Sequence, residues 1–527
     1  MNARELAQPV TEGFAPYAWS ASVAEVAGRY GLSPTQVLKF DQNTPPLPGV
    51  PQVPLAESMA RLNQYPEGTY SQLLAAAAGY CGLAPENVVV GAGADDLILL
   101  LAATFLGPGL RASFSPPTYA MYRIATQLRG AQLVEAPAEA NLHWLCNPNN
   151  PTGEVVAPEE IAAIARAEPR SIVVCDEAYV EFGGESVAPW VNELPNLVVI
   201  RTMSKAFGLA SLRVGYALAH PETAALLTER RPPAPISGPA VAIAAAALRQ
   251  PRLGDVAVTI AERERMRESL IAAGHDCPKV AGNFVLVRSR EPLGEQLERQ
   301  GLIVRSFPEA IRITPRRPAE NDVLLRALGA EPGPPPGREA TVMRTSTETA
   351  LRITLDLDGD GRGSVVTGIG FLDHLLTLLG FHAGFNLDIV AGGDLEVDDH
   401  HLVEDVLAAL GTALSQALGT REGVQRYGSA VVPMDEARAL AAVDLVRRPH
   451  AEIALAFGGD RVGSLAVTLL THALERFAME AGCTVHVEAS GGDDHHVAEA
   501  AFKALGQALR AAVSAGDGGV RSTKGLA

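Results

Sequence analysis

Along the first 330 residues the apolar positions fall into two alternating kinds of block. Short runs such as Val88-Val89-Val90, Ile172-Val173-Val174-Cys175 and Leu197-Val198-Val199-Ile200 are apolar at every position, as strands are when both faces of a sheet are covered. Between them lie longer Ala- and Leu-rich stretches, one of them beginning at Gln72, whose length suits helices. Strand and helix patterns taking turns predict an α/β domain built on a mostly parallel sheet. Residues up to about 65 are instead rich in Pro and aromatic residues, as in Pro16-Tyr17 and Pro45-Pro46-Leu47-Pro48, and read as an extended arm. From Gly329 the text becomes Gly-Ala-Glu-Pro-Gly-Pro-Pro-Pro-Gly-Arg-Glu, a semi-rigid linker. Domains are therefore expected at 1–330 and 341–527, joined by 331–340. Beyond the linker, alternation in Leu351-Arg352-Ile353-Thr354-Leu355 and Thr484-Val485-His486-Val487 marks half-buried strands.

The second part carries one polar phrase twice. Asp398-Asp399-His400-His401-Leu402-Val403-Glu404 returns as Asp493-Asp494-His495-His496-Val497-Ala498-Glu499, 95 residues later (398 to 493). On a helix the first His stands at i,i+4 to the Glu and the second at i,i+3, so imidazoles and carboxylate share one face. Such a face suits a divalent Mn, Fe, Zn or Ni rather than Ca or Mg, and without nearby Cys it is no closed structural zinc site. An acidic helix start would explain one copy; two copies predict a duplicated half-domain whose parts jointly build a metal site. An ion needs more ligands than one helix face supplies, which brings in His374 and His486. His382, His450 and His472 are read as structural.

Composition narrows the partners. A net charge of −17 with no clustered Lys/Arg run disfavours nucleic acid. Five Cys without a C-x-x-C pair suit reduced thiols in a cytoplasm. The apolar runs near Leu97–Leu106 and Val241–Leu248 fall short of the roughly 18 residues of a membrane span, and the start Met1-Asn2-Ala3-Arg4-Glu5 has no secretory pattern.

The chemistry of the first part gathers where its strands end. Strand 88–90 runs into Gly91-Ala92-Gly93-Ala94-Asp95-Asp96, a phosphate cradle at a helix N-terminus. Strand 172–175 ends in Asp176-Glu177-Ala178-Tyr179, and strand 197–200 leads to Thr202-Met203-Ser204-Lys205-Ala206-Phe207-Gly208 with Arg213 beyond. Cys146-Asn147-Pro148-Asn149-Asn150-Pro151-Thr152-Gly153 lies between them. A carboxylate for a pyridinium nitrogen, an imine-forming Lys, an Asn and a Tyr for a ring hydroxyl, and Ser and Arg for a phosphate are what pyridoxal phosphate requires.

On these residues, and on Ser204 to Tyr216 in particular, residues 15–330 resemble a fold-type I aminotransferase similar to the histidinol-phosphate aminotransferase family. The resemblance implies Lys205 as the Schiff-base lysine and proton carrier, Asp176 beside the pyridine nitrogen, and Asn150 and Tyr179 at the ring hydroxyl. It implies Ser204, Arg213 and the amides of Ala94 and Asp95 around the cofactor phosphate, Tyr119 stacked on the ring, and Tyr65 crossing to the partner subunit. Arg305 and Arg312 match the family's substrate-anion arginines, and Tyr17 its pocket-closing tyrosine. The turn at 91–96 and the segment Lys39-Phe40-Asp41-Gln42-Asn43-Thr44 depart from the family pattern. Threonine-phosphate decarboxylase shares the signature, so another substrate, or an inert scaffold, are the alternatives for this half.

Residues 341–527 resemble imidazoleglycerol-phosphate dehydratase over its full length. The resemblance rests on Phe371-Leu372-Asp373-His374, both paired-His motifs, Arg426-Tyr427-Gly428-Ser429-Ala430 and Ser522-Thr523-Lys524-Gly525. It implies a duplicated α/β unit in a 24-subunit shell with two Mn ions per site, bound between subunits. The implied ligands are His374, His400, His401, Glu404, His486, His495, His496 and Glu499, with Glu404 and Glu499 also counted as catalytic. Arg426, Arg448, Lys503, Ser522 and Lys524 would grip a substrate phosphate, and Glu348 would act as acid/base. Together the halves imply a bifunctional enzyme of histidine biosynthesis. It would act on phosphorylated imidazoles and glutamate, with aminotransferase dimers carried on the dehydratase shell.

Overall fold

The structure, a computed structural model, describes residues 10–516 apart from 12, 47–59, 136–138, 252–253, 334, 336 and 464. It divides into two units, Met1–Pro334 and Pro335–Ala527. Among the described residues no helix is long and apolar enough to cross a membrane, and all five cysteines are unpaired.

The expected arm is only partly extended. Val23–Tyr30 is a helix, started by Ser22, whose hydroxyl accepts from Glu25 N (3.2 Å) while its own N–H donates to the Glu25 carboxylate (2.7 Å). This reciprocal cap satisfies two otherwise orphaned amides. Val26 and Ala27 then pack on Val37 and Ile303. The helix has two turns, too few for its periodicity to stand out beside the surrounding prolines.

The sheet of the first unit has seven strands. Their order is Val88–Gly91, Gly215–Ala219, Leu197–Thr202, Ile172–Asp176, Leu142–Cys146, Arg111–Ser113 and Gln132–Val134. Every pairing is parallel except the two made by Gly215–Ala219. Helices cover both faces: Ser71–Cys81 and Gly238–Arg249 on one, Ala94–Phe105, Ala120–Leu128 and Pro221–Arg230 on the other. That two-sided burial is why the strands read as unbroken apolar runs. Gly215 lies where a Cβ would stand 2.7 Å from the Gly93 carbonyl carbon, so the turn preceding helix Ala94–Phe105 can press against its neighbour strand. A smaller antiparallel sheet, Arg305–Phe307, Ala310–Ile313 and Val285–Arg288, follows in the chain. Its register sets Arg305 directly opposite Arg312, which puts the two side chains on one face.

The second unit is a visible duplication. Glu339–Thr345, Thr349–Asp356, Gly363–Val366 and Asn386–Gly393 form a sheet in the order first, second, fourth, third. Tyr427–Met434, Ala437–Asp444, His450–Ala456 and Thr484–Ser490 repeat that order. In both, the third strand runs parallel to the fourth and the other pairs are antiparallel. Each half adds two helices: Gly370–Ala383 and His400–Leu418, then Val467–Ala481 and Asp494–Val513. The helices pack across the halves, Gly370–Ala383 on Asp494–Val513 and His400–Leu418 on Val467–Ala481. Gly411 and Gly506 sit at matching places in these crossings. A Cβ on Gly411 would stand 2.4 Å from the Phe477 carbonyl oxygen, and one on Gly506 2.8 Å from that of Leu379.

Candidate active sites

At the carboxyl ends of the parallel strands the first unit holds a cavity of about 400 Å³. Ala94, Asp95, Tyr119, Asn150, Asp176, Tyr179, Ser204, Lys205, Arg213, Tyr17, Arg305 and Arg312, separated by up to nearly 300 positions in sequence, all line it. Tyr65 does not: it is exposed.

Asp176 is 2% exposed at the end of its strand. One carboxylate oxygen accepts from Tyr122 OH (2.8 Å) and the other from Ala178 N (3.1 Å). Burial pushes its pKa up to about 6, against the lowering effect of those two hydrogen bonds. A carboxylate buried there is a fit for a protonated ring nitrogen. Lys205 Nζ donates to the Gln42 carbonyl (3.0 Å) and lies 5.8 Å from the Tyr179 ring centroid. Burial in the cavity wall, reinforced by the Arg312 charge, brings its amine down to about 7. An amine so placed is half neutral at neutral pH and able to attack a carbonyl. In the cofactor-free protein, modification of Lys205 by an amine-directed reagent is therefore expected to rise through pH 7 and level off above it. A midpoint near 10, read by peptide mass mapping, would contradict the desolvated setting.

Around the phosphate position, Asp95 accepts from Tyr119 OH (2.8 Å) and pairs with Arg213 (3.2 Å). Gly93, at φ +87°, leaves the space that Arg213 fills, since a Cβ would lie 2.8 Å from Nη2. Asn43 Nδ2 donates to Tyr179 OH (3.0 Å). Arg312 Nη1 donates to Asn150 Oδ1 and Nη2 to the Asp41 carbonyl (2.7 Å). At the mouth, Arg305 lies 5.5 Å from the Tyr17 ring centroid and donates to the Ala18 carbonyl (2.6 Å). Tyr122 and Asn43 were missed in the sequence. Tyr122 stands one helical turn beyond the recognised Tyr119, and Asn43 belongs to the segment noted for departing from the family pattern.

Among the described residues the second unit gathers three groups of imidazole and carboxylate: two trios centred on Glu499 and Glu404, and a third of Asp435, Glu436 and His496. His374 Nε2 lies 2.7 Å and His495 Nε2 3.1 Å from Glu499 Oε1. His472 Nε2 lies 3.2 Å and His400 Nε2 3.5 Å from Glu404 Oε2. In each, the second carboxylate oxygen holds a cation: Lys503 on Glu499 (2.6 Å) and Arg476 on Glu404 (3.1 Å). Burial raises the Glu499 pKa, but Lys503 and His374 more than reverse this and hold it down at about 2. Each trio offers three ligand atoms within 4.8 Å of one another, all imidazole nitrogen or carboxylate oxygen. That donor set suits a first-row divalent ion.

Two sequence expectations need correction. His472, read as structural, belongs to a cluster. His486 does not: it is exposed on a strand with its ring 5.9 Å from His450. The duplication could have shown this, because His374 precedes the first motif as His472 precedes the second, while His486 falls opposite Asp388 in the other half. His401 and His496 also join neither of those two trios: His401 faces Asp394, and His496 stands with Asp435 and Glu436 in the third group. Lys503 is engaged by Glu499 and Arg426 by Asp444 (2.7 Å). Arg448 is exposed before strand His450–Ala456, Glu348 lies in the first hairpin, and Ser522 and Lys524 fall outside the described residues.

The family model for aminotransferase class I and II matches residues 35–328, and that for imidazoleglycerol-phosphate dehydratase matches residues 367–509. The chain is 36% identical over 362 residues to histidinol-phosphate aminotransferase 2 of Pseudomonas fluorescens, covering 61% of this chain and 96% of that protein. It is 48% identical over 193 residues to the imidazoleglycerol-phosphate dehydratase of Granulibacter bethesdensis, covering 36% of this chain and 98% of that protein. A longer dehydratase relative, from Phytophthora nicotianae, is 41% identical over 261 residues, and the chain spans 57% of its length. Among solved structures, histidinol-phosphate aminotransferase of Sinorhizobium meliloti in complex with pyridoxal-5'-phosphate aligns at 25% identity and TM-score 0.55, covering 60% of this chain and 96% of that one.

The chain thus belongs to two enzyme families at once, aminotransferase class I and II in its first unit and imidazoleglycerol-phosphate dehydratase in its second. Both are enzymes of small-molecule chemistry, and the first unit has the pyridoxal-phosphate fold. The particular combination is that of a bifunctional enzyme of histidine biosynthesis.

Proposed function

We propose that the second unit dehydrates imidazole glycerol phosphate to imidazole acetol phosphate with bound Mn, and that the first transfers an amino group from glutamate to that ketone, giving histidinol phosphate. What carries the reading is the presence in one chain of a cavity around Lys205 and of twin imidazole–carboxylate clusters.

Pyridoxal phosphate, when bound, supplies an electron sink for the carbon carrying the amino group. Asp176 would hold the ring nitrogen's proton, Asn150 and Tyr179 would face the ring hydroxyl, Tyr119 the ring, and Ser204, Arg213 and the amides of Ala94 and Asp95 the phosphate. Lys205, titrating near neutrality, can both take and return the substrate proton. Arg305 and Arg312, on one face of the small sheet, provide two cations for substrates that each carry two anionic or strongly polar ends. Tyr17 closes over them.

Two Mn ions, when bound, draw electron density from the substrate imidazole and so make a neighbouring C–H acidic. His374, His495 and Glu499 would hold one, and His400, Glu404 and His472 the other. Neither trio fills an ion's coordination shell, while His401 and His496 are left outside both trios. Another copy of the chain would then complete each site, in keeping with a shell of 24 subunits and with Tyr65 exchanged in aminotransferase pairs. Glu348 would move the proton, and Arg426, Arg448, Ser522 and Lys524 would meet the phosphate. The five unpaired cysteines support a cytoplasmic setting.

The full chain, supplied with Mn, pyridoxal phosphate, imidazole glycerol phosphate and glutamate, is expected to yield histidinol phosphate and 2-oxoglutarate, and to accumulate the ketone when glutamate is withheld. Decarboxylation of threonine phosphate without amination of imidazole acetol phosphate would overturn the assignment of the first unit.

A further inference from the structure

The duplication places a glutamate in each half at the same point, just before the second strand of the opening hairpin. These are Glu348, before Thr349–Asp356, and Glu436, before Ala437–Asp444. Each hairpin stands beside the second imidazole of its own half's motif, but the contacts differ. Glu436 takes both of its oxygens to 3.1 Å from His496 Nδ1 and is itself steadied by the Asp493 amide (3.0 Å). Glu348 stays 3.9 Å from His401 Nδ1, beyond hydrogen-bond reach. There Asp394 holds the ring instead, at 3.1 Å.

The reason is one residue. The strand registers pair Thr349 with Gly393 in the first half, and extend from Arg438–Ser490 to set Ala437 against Gly491 in the second. Asp394 therefore corresponds to Gly492, which has no side chain, and a Cβ there would touch Glu436 Cγ at 3.5 Å. Where Asp394 exists, the imidazole binds it and the hairpin glutamate is released. Where glycine replaces it, the hairpin glutamate is drawn onto the imidazole.

We propose that the two hairpin glutamates have divided their work. Glu436 and Asp394 are positioning residues that accept the Nδ1–H of His496 and His401 and so leave each Nε2 as the ligand atom, whereas Glu348 is kept off the imidazole for proton transfer. The proposal rests on the reading of the second unit as a Mn-dependent dehydratase. A carboxylate behind an imidazole fixes its tautomer and orientation, and its removal typically weakens metal affinity about 10–100-fold. The bare duplication would instead predict equal roles for Glu348 and Glu436.

The test uses the full chain and Mn alone as probe. Bound Mn per chain and its affinity are measured by chelator competition and by the electron paramagnetic resonance signal of free Mn, in parallel with dehydratase turnover. Glu436→Ala and Asp394→Ala are expected to weaken Mn about 10–100-fold, and Glu436→Gln, which keeps an acceptor oxygen, to restore most of it. Glu348→Gln is expected to bind Mn as the unaltered chain does while losing turnover. Equal Mn affinity in Glu436→Ala and the unaltered chain overturns the proposal, as does loss of Mn in Glu348→Gln matching that in Glu436→Ala. Absence of Mn binding by the unaltered chain would instead remove the dehydratase reading and this proposal with it.

Discussion

Lys205→Ala is expected to lower aminotransferase turnover about 10³-fold, the scale of losing a positioned acid–base group, and to leave dehydration intact. Lys205 is in the cavity wall within 5.8 Å of the Tyr179 ring. Its lowered basicity is a product of burial and of Arg312, so no other amine among the described residues inherits its setting by proximity. Lys39, the other lysine lining the cavity, is tied to Asp41 and to the Ala21 carbonyl (3.0 Å). Turnover of imidazole glycerol phosphate to the ketone, followed beside ketone-to-histidinol-phosphate conversion on the same sample, checks the result. Retained amination in Lys205→Ala would sink the assignment of that cavity.

The second large effect lies in the twin clusters. His400→Ala combined with His495→Ala takes one imidazole from each trio, leaving a carboxylate and one ring apiece. Loss of a direct ligand should exceed the 10–100-fold typical of a supporting residue, so Mn should dissociate on dialysis and dehydration should fall by more than about 10²-fold. Exhaustive chelation of the unaltered chain should reproduce the loss, and added Mn should reverse it only when the imidazoles are present. Metal analysis paired with turnover decides; full activity after chelation would contradict the metal reading.

Much of both sites could be read from local text. Asp176, Ser204, Lys205 and Arg213 lie just beyond buried strands, and in a mostly parallel sheet strand ends converge. The paired-His motifs announced themselves by repetition. What escaped depends on contacts between distant elements. The hydrogen bond from Tyr122 to Asp176 spans 54 positions and joins a helix to a strand end, with no periodicity to betray it. His472 looks like one more polar residue on an amphipathic helix until helix Val467–Ala481 is packed on His400–Leu418. His486 misled for the opposite reason: a strand leading into the second motif is close in sequence, but its side chain emerges on another face. Asp394 and Glu436 carry no signature of their own, and only strand register reveals that they occupy different corners of one duplicated plan.

Gly411 and Gly506 each stand eleven residues after the first histidine of a motif, about 16 Å along a helix, and each lets its helix approach the next backbone to backbone. The close approach of each helix pair is thus set by bare glycine surfaces about three turns away from the motif histidines. A methyl group at either glycine would push its helix off the neighbouring backbone, and the imidazoles carried at the start of that helix would move with it.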